Sequence, residues 1–236
     1  MNVSACLVTR GDVDMRPILD SLPSEWEKIV WDNSAGEMTR HPRRAGKFDR
    51  VGGLPDLSVY GRYAAIEHAS HDLIYVADDD VIVSDPRAIV DEWIANCQWR
   101  ITDPEPPGDG RLYASERQDG PHVVCNMPQE FRTHYHDSAL VGFGACFHRD
   151  APKRAFDRMA DAGATFWTTY QEDAQAMIYR ECDTVFTGLT PRVLVDVPKQ
   201  NLPYATDPDR LYRQSGHLAA RRRMLDLVRQ VRDNAL

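Results

Sequence analysis

Three consecutive carboxylates, Asp78, Asp79 and Asp80, interrupt the apolar stretch "HDLIYVADDDVIVSDP" at residues 71–86. Two such charges about 4 Å apart repel each other by about 4 kcal/mol at an effective dielectric constant near 20. A divalent cation offsets this repulsion, and carboxylate oxygens are ligands that Mg²⁺ and Mn²⁺ accept. Side chains alternate along an extended segment, so Asp78 and Asp80 are expected on one side and Asp79 on the other. Taken alone, the triplet also fits a solvated turn or a cluster at a helix start.

The segments before the triplet predict the elements that position it. The sequence reads as strand, helix, strand, loop, helix, strand and helix over the first hundred residues, which favours an α/β fold with a mainly parallel sheet. The three predicted strands end in polar residues: Thr9-Arg10, Asp32-Asn33 and Asp78–Asp80. Ligands of such sheets bind outside the carboxyl ends of the strands. These residues are therefore expected to converge on one site.

Later segments are less regular. Residues 37–56 and 102–110 read as loops, 111–117 and 122–127 as strands that pair in a hairpin, and 138–149 as an apolar segment broken by Gly142 and Gly144. Glycine in such a segment permits the close approach of a ligand or a bulge. Helices are predicted near residues 152–163, 170–182 and 208–232. We expect one compact domain with two halves, at 1–100 and 101–236.

Composition limits the class of protein. The chain has 236 residues, a formal net charge of −8 and ordinary globular proportions, with 42% hydrophobic and 27% charged residues. This negative charge disfavours non-specific binding to nucleic acid, because phosphate binding requires a basic surface. Five scattered cysteines without CxxC spacing are expected to be reduced core thiols. With no apolar run of membrane-spanning length, the expectation is a cytoplasmic protein.

The sequence resembles a known family. The resemblance lies in "VSACLVTRGD", "IVWDNSAG", "YGRYAAIEHASHDLIYVADDDVIV" and, more weakly, "QEDAQAMIYR". These segments resemble a family-2-type glycosyltransferase with the GT-A fold, and the first three have the family's order and spacing over roughly the first 90 residues. The resemblance implies a mainly parallel, Rossmann-like sheet flanked by helices, with a smaller mixed acceptor-side region. It also implies a nucleotide-diphosphate-sugar donor, a UDP- or GDP-sugar, and Mn²⁺ or Mg²⁺ as the cofactor.

The resemblance assigns roles to particular positions. Asp78 and Asp80 match the family's DxD pair, in which the last aspartate ligates a cation that bridges the diphosphate. Nucleotide contacts are implied for a larger set: Thr9, Arg10, Asp32, Asn33, Arg62, Asp78 and Asp79. From the residues alone, Asp32 and Asn33 also fit turn formers, Arg62 a surface or ion-pair arginine, and Thr9 a strand residue with a satisfied hydroxyl.

The resemblance also suggests a catalytic base. "YQEDAQ" resembles the family's acidic pair, so Asp173 is expected to take the acceptor's proton, with Glu172 second and an inverting outcome. Stabilisation of the helix dipole is the alternative role for both. His217 is the preferred candidate for a further metal ligand, in competition with His134, His136 and His148.

Other functions remain open at the level of sequence. Arg221, Arg222 and Arg223 fit either diphosphate oxygens or a solvated helix face. The acceptor is unidentified, and a glycan, a protein, a small molecule or a modified nucleic acid is possible. A sugar-nucleotide nucleotidyltransferase is expected to have a phosphate loop rich in glycine and lysine after the first strand. The segment "TRGDVDM" at that place does not have this composition. A non-catalytic nucleotide-sugar-binding module would keep the triplet and lose the base.

Overall fold

A computed structural model describes most of the chain, in seven ranges: 2–34, 48–52, 56–96, 122–133, 135–162, 171–206 and 216–233. Within them, the backbone alone is described at 162, 171–179, 204 and 206. The predicted strand at 111–117 and Cys97 lie outside these ranges.

Nine strands and seven α-helices lie in the described ranges. The strands are β1 Val3–Thr9, β2 Glu27–Asp32, β3 Asp49–Gly52, β4 Leu73–Val76, β5 Val81–Val83, β6 Val123–Asn126, β7 Ala145–His148, β8 Arg192–Val195 and β9 Lys199–Asn201. The α-helices are α1 Arg16–Ser21, α2 Gly61–Ala64, α3 Pro86–Asn96, α4 Gln129–Arg132, α5 Ala151–Ala162, α6 Gln171–Leu189 and α7 His217–Asp233. Three 3-10 segments accompany them: Ser58–Tyr60, Ala65–His68 and Pro203–Thr206.

Seven strands form one sheet in the order β3-β2-β1-β4-β7-β6-β8. β1 pairs in parallel with β2 and β4, β2 with β3, and β6 with β8. β7 runs antiparallel to both of its neighbours. The remaining two strands, β5 and β9, form a small antiparallel sheet. This architecture confirms the α/β class, with a mainly parallel sheet and a smaller mixed region.

Both faces of the sheet are buried, which explains the unbroken apolar run of β1. On one face Cys6 belongs to a core built with side chains of α2, α5, α6 and α7. On the other face Ala5 and Leu7 join a core that contains side chains of α1 and α3. Strands covered by helices on both sides read as continuous hydrophobic segments, because both sets of alternating side chains are buried.

Most predicted elements are present. α3 begins at Pro86 as expected, and Asp85 Oδ1 accepts a hydrogen bond from the Ala88 N–H at 3.3 Å, which is an N-cap contact. β3 was missed because a four-residue strand within a stretch read as loop shows no clear periodicity. β6, the described strand of the expected hairpin, pairs with β7 and β8, which are distant from it in sequence.

Two expectations from composition can be compared with the structure. Cys6, Cys125, Cys146 and Cys182 are buried thiols, as expected. Among the described residues, no helix combines the length and apolar character required to cross a membrane.

Candidate functional site

The strand register brings the predicted polar residues to one edge of the sheet. Thr9 is paired with Asp32 across β1 and β2, and Asp32 is paired with Gly52 across β2 and β3. β4 runs parallel to β1 and ends at Val76, two residues before Asp78. The carboxyl ends of three adjacent parallel strands, β2, β1 and β4, therefore carry Asp32, Thr9 and the acidic triplet at the same edge, as the sequence predicted.

Asp78 is held by a buried arginine. Arg62 Nη2 donates a hydrogen bond to Asp78 Oδ1 at 2.5 Å. The Arg62 side chain is 1% exposed, whereas that of Asp78 is 36% exposed. Asp78 is therefore the solvent-facing end of an ion pair whose cation lies inside the protein.

Gly142 supports the other side of the Asp78 carboxylate. The Asp78 N–H donates to the Gly142 carbonyl at 2.8 Å. A Cβ atom at position 142 would lie 1.9 Å from Asp78 Oδ2, a distance that no side chain tolerates. The glycine that the sequence suggested for a bulge or a close ligand thus accommodates a carboxylate of the chain itself.

Arg62 is enclosed on all sides. Its Nε donates to the Val59 carbonyl at 3.1 Å, and its Nη1 lies 3.7 Å from Asp183 Oδ2. Burial lowers the pKa of Arg62, but the carboxylates of Asp183 and Asp78 outweigh it and raise the pKa above its usual value. The arginine is therefore permanently charged and makes no direct surface for a ligand.

Asp183 is the second carboxylate of this network. Tyr63 Oη donates to Asp183 Oδ1 at 2.7 Å, and the tyrosine packs edge-on against Phe156 and Phe186. Burial raises the pKa of Asp183; Arg62 and the Tyr63 hydrogen bond lower it, but the net shift is upward. Nothing in the sequence pattern singled out Asp183, because it is the thirteenth residue of a long helix, α6.

Asp32 is the centre of a second polar cluster. Its Oδ1 accepts hydrogen bonds from the Ser34 N–H at 2.9 Å and from Ser34 Oγ at 2.7 Å, and its Oδ2 pairs with Arg50. Burial raises the pKa of Asp32, but these hydrogen bonds and the Arg50 charge lower it further. Asp32 is therefore an ionised and largely buried carboxylate at the end of β2.

Asn33 connects β2 to the helical segment that carries Arg62. Its Oδ1 accepts from Trp31 Nε1 at 3.0 Å and from the Leu57 N–H at 3.1 Å, and its Nδ2 donates to the Ser58 carbonyl at 2.9 Å. The side chain thus has a structural role, as the turn-former alternative expected, and its predicted contact with a nucleotide is untested.

Thr9 and Arg10 lie beside this cluster. Thr9 is buried, and its Oγ1 accepts from the Gly11 N–H at 3.1 Å, which matches the strand-residue alternative. Arg10 is partly exposed and forms an ion pair with Asp12 at 2.5 Å. Both residues are at the expected edge, and their contact with a nucleotide stays a prediction.

The remaining two carboxylates of the triplet differ in environment. Asp79 is 5% exposed, whereas Asp80 is partly exposed, so burial alternates along the triplet as expected. A direct nucleotide contact by Asp79 therefore conflicts with its burial. The Asp80 carbonyl accepts from the Leu202 N–H at 2.8 Å, which attaches the triplet to the small β5–β9 sheet.

One basic residue near Asp80 was not anticipated. Lys199 Nζ lies 4.0 Å from the ring centroid of Phe143 and donates to Asn201 Oδ1 at 2.9 Å. Burial lowers the pKa of Lys199, although the charges of Glu130 and Asp80 oppose this shift. β9 therefore brings an ammonium group into the electrostatic field of the triplet.

The predicted metal set is not assembled in the described part of the chain. No group of three or more His, Cys, Asp or Glu side chains is arranged there to hold a metal ion, so Asp78, Asp80 and His217 do not meet as a triad. Mg²⁺ at diphosphate sites commonly uses one or two carboxylates together with substrate oxygens and water. The oxygen donors at this edge fit a cation shared with a diphosphate, and they do not fit one enclosed by protein alone.

His217 faces a different partner from the one expected. Its Nδ1 lies 3.3 Å from Glu181 Oε1, and both side chains are buried. Burial, with the positive charges of Arg221 and Arg180, lowers the pKa of His217. Burial raises the pKa of Glu181 to about 7, although Arg221 lowers it.

Three further predictions concern residues of the second half. The backbone of Glu172 and Asp173 lies in the first turn of α6, as expected, and their side chains are outside the described part. Arg221 stacks on the Tyr135 ring, and Arg221 Nη1 donates a hydrogen bond to Tyr135 Oη at 3.0 Å. Both side chains therefore form a contact between α7 and the loop after α4. His134 lies outside the described residues.

No protein-family model matches the sequence, and no curated protein matches it. Among solved structures, the chain matches parts of S. aureus TarS at low sequence identity. TarS 1–349 in complex with UDP is 10% identical at a TM-score of 0.46, covering 97% of this chain and 65% of that one. Another structure of TarS is 12% identical at a TM-score of 0.45, and the match covers 83% of this chain and 35% of that one. TarS 1–349 in complex with UDP-GlcNAc is 15% identical at a TM-score of 0.32, and the match covers 55% of this chain and 35% of that one. The chain thus spans between about a third and two thirds of these proteins, and the likeness assigns no activity to it.

Proposed function

We propose that this chain is a glycosyltransferase that binds a nucleotide-diphosphate sugar at the carboxyl edge of β1, β2 and β4. The observation that supports this most directly is the partly exposed carboxylate of Asp78, anchored by a buried Arg62, at the edge where Thr9 and Asp32 also lie. Ligands of open α/β sheets bind at this edge. The resemblance of the first 90 residues to family-2-type glycosyltransferases supports the same class of donor.

Each residue has a role in the proposal. Asp32, with Asn33 beside it, takes the base edge of the nucleotide, and Thr9 and Arg10 lie at the base or ribose. Arg62 acts indirectly, since its guanidinium is enclosed and reaches the donor only through Asp78. Asp79 is similarly enclosed, so it supports the turn from within.

The proposed cofactor is Mn²⁺ or Mg²⁺. Asp80, with Asp78, would hold the cation together with the donor's diphosphate. When bound, the cation neutralises charge on the leaving diphosphate without a proton transfer. His217 is not part of this set, because its Nδ1 faces Glu181.

The proposed chemistry is an inverting substitution. An acceptor hydroxyl oxygen attacks the anomeric carbon, the bond from that carbon to the diphosphate breaks, and the hydroxyl proton passes to a carboxylate. Asp173 is the proposed base and Glu172 the second candidate, on the strength of the "QED" resemblance. The acceptor is a glycan, a protein, a small molecule or a modified nucleic acid.

A thermal-shift screen of UDP, GDP and their sugars with Mn²⁺ tests the donor class. We expect a rise in melting temperature with at least one nucleoside diphosphate and with the matching sugar nucleotide, because a ligand that binds only the folded state stabilises it. Mn²⁺ alone is the control. If no nucleoside diphosphate shifts the transition or binds in calorimetry, the proposed function is wrong.

A further inference from the structure

Arg62 carries one positive charge between two carboxylates. Its Nη2 donates to Asp78 Oδ1 at 2.5 Å, and its Nη1 lies 3.7 Å from Asp183 Oδ2. The guanidinium is planar and its donors have a fixed geometry, so the group that orients one nitrogen also orients the other. Asp183 thereby influences the direction from which Arg62 donates its hydrogen bond to Asp78.

Asp183 is itself fixed at its other oxygen. Tyr63 Oη donates to Asp183 Oδ1 at 2.7 Å. Tyr63 is buried in a group of aromatic rings, with its centroid 6.3 Å from that of Phe147 and 5.7 Å from that of Phe186. A rigid aromatic core thus fixes Asp183, and Asp183 in turn fixes the arginine.

Neutralisation of the arginine does not explain the second carboxylate. Asp78 already neutralises Arg62 at hydrogen-bond distance, whereas Asp183 adds a second negative charge to an enclosed network. Burial of a carboxylate is unfavourable unless it is paired. The excess charge becomes useful when Asp78 also has to face a ligand, because Asp183 keeps the arginine paired while Asp78 shares its charge.

We propose that Asp183 is a positioning residue for the donor site, acting through Arg62 to hold Asp78 toward a nucleotide diphosphate. This inference rests on the proposed function. It assigns Asp183 no contact with the donor, since Arg62 and Asp78 lie between them. This role differs from that of a residue in a purely structural ion pair. Loss of a structural residue would affect folding and leave the affinity of the site for UDP unchanged.

The test compares Asp183→Asn with Asp137→Asn. Asp137 is a control of similar exposure, because its side chain is 23% exposed, against 18% for Asp183, and it likewise forms ion pairs, here with Arg229 and Arg232. UDP affinity is measured by calorimetry and melting temperature by circular dichroism. We expect Asp183→Asn to weaken UDP binding by about tenfold or more, the scale on which orienting partners act. Asp137→Asn should lower the melting temperature and keep the wild-type affinity.

The pH profile of UDP binding gives a readout that a structural role would not move. Asp183 faces Arg62, Tyr63, Asp78 and Arg221, and the pKa of Asp183 is raised by burial. As the pH is lowered, the wild-type protein should therefore lose UDP affinity at a higher pH than Asp183→Asn does. The titration of UDP itself is common to both proteins and cancels in the comparison.

A second variant guards against failure of Asp183→Asn to fold. Tyr63→Phe removes the hydrogen bond to Asp183 and keeps the ring, and we expect a weaker loss of UDP affinity in the same direction. Wild-type affinity in whichever of the two variants folds overturns the inference and leaves the proposed function standing. A wild-type protein that binds no nucleoside diphosphate overturns both.

Discussion

His217 Nδ1 and Glu181 Oε1 face each other at 3.3 Å inside the protein, at the start of α7 and at the one residue of α6 with non-helical dihedral angles. Glu181 Oε2 also accepts a hydrogen bond from Thr184 Oγ1 at 3.1 Å. α6 and α7 therefore meet at two buried ionisable groups whose pKa values are shifted toward their neutral forms. This junction makes the stability of the chain depend on pH.

Glu181→Gln should remove one pH-dependent penalty. The pKa of Glu181 is about 7 in the folded chain against 4.5 for the ordinary group, so its contribution to stability is fully present below pH 4.5 and is lost as pH rises through 7. A shift of that size corresponds to about 3 kcal/mol. Relative to wild type, the variant should become more stable between pH 5 and pH 8, as measured by urea denaturation at both values.

The opposite shift of His217 provides a check on this assignment. Its pKa is lowered, so its contribution is fully present above its ordinary value of 6.5 and is lost as pH falls. His217→Gln should therefore gain stability relative to wild type on acidification. Glu67→Gln, on an exposed position, is the control. Parallel pH profiles in wild type and both junction variants would contradict the assignment.

Removal of the buried guanidinium should be strongly destabilising. Arg62→Met removes the cation that pairs with both Asp78 and Asp183. Loss of one partner of a buried pair typically removes about 3–5 kcal/mol. Adding Asp183→Asn to Arg62→Met should recover part of the loss, because it removes an unpaired buried charge. The double-mutant cycle is measured by urea denaturation, and strict additivity would mean that the two residues do not interact.

Gly142→Ala should disturb the proposed donor site. The new methyl group would lie 1.9 Å from Asp78 Oδ2, so the carboxylate has to move. We expect weaker UDP binding in calorimetry with a moderate loss of stability, about 1–3 kcal/mol as for other overpacked sites. Gly188→Ala is the matched control, since its methyl group would meet Val228 Cγ1 at 2.5 Å. Equal UDP affinity in the two variants would argue against Asp78 as a donor contact.

Metal dependence is testable through Asp80. We expect Mn²⁺ to raise the affinity of the wild-type protein for UDP relative to EDTA-treated samples, because a cation held by Asp80 and Asp78 would neutralise charge on the diphosphate. Asp80→Ala should lose this difference while it keeps a near-normal melting temperature. A large fall in melting temperature would instead mean that the triplet serves the fold.

The proposed base predicts a separation of binding from transfer. Asp173→Asn should keep UDP-sugar affinity and lose about 10²–10⁴-fold in turnover, the usual contribution of general base catalysis. Glu172→Gln should have the smaller effect. While the acceptor is unknown, the assay is hydrolysis of the donor, monitored through the UDP that is released. Unchanged hydrolysis in Asp173→Asn would exclude it as the base.

The local pattern of the sequence was sufficient for the α/β class and for the site edge. β1 is predictable because seven consecutive residues are apolar or small, and parallel pairing follows from the helices between strands. Thr9, Asp32 and Asp78 each follow an apolar run directly, so their meeting at one edge follows from parallel order alone. β3 has no such signal, because four residues carry too little periodicity.

Only the tertiary structure assigned partners to these residues. That Arg62 is enclosed by Asp78 and Asp183, that Gly142 accommodates a carboxylate of the chain, and that His217 faces Glu181 all depend on contacts between residues 16 to 121 positions apart. Sequence spacing fixes which residues share a strand or a helix face, since periodicity is a local property of the backbone. Which buried charge neutralises another depends on how whole elements pack, because the desolvation of each group is set by all of its neighbours together.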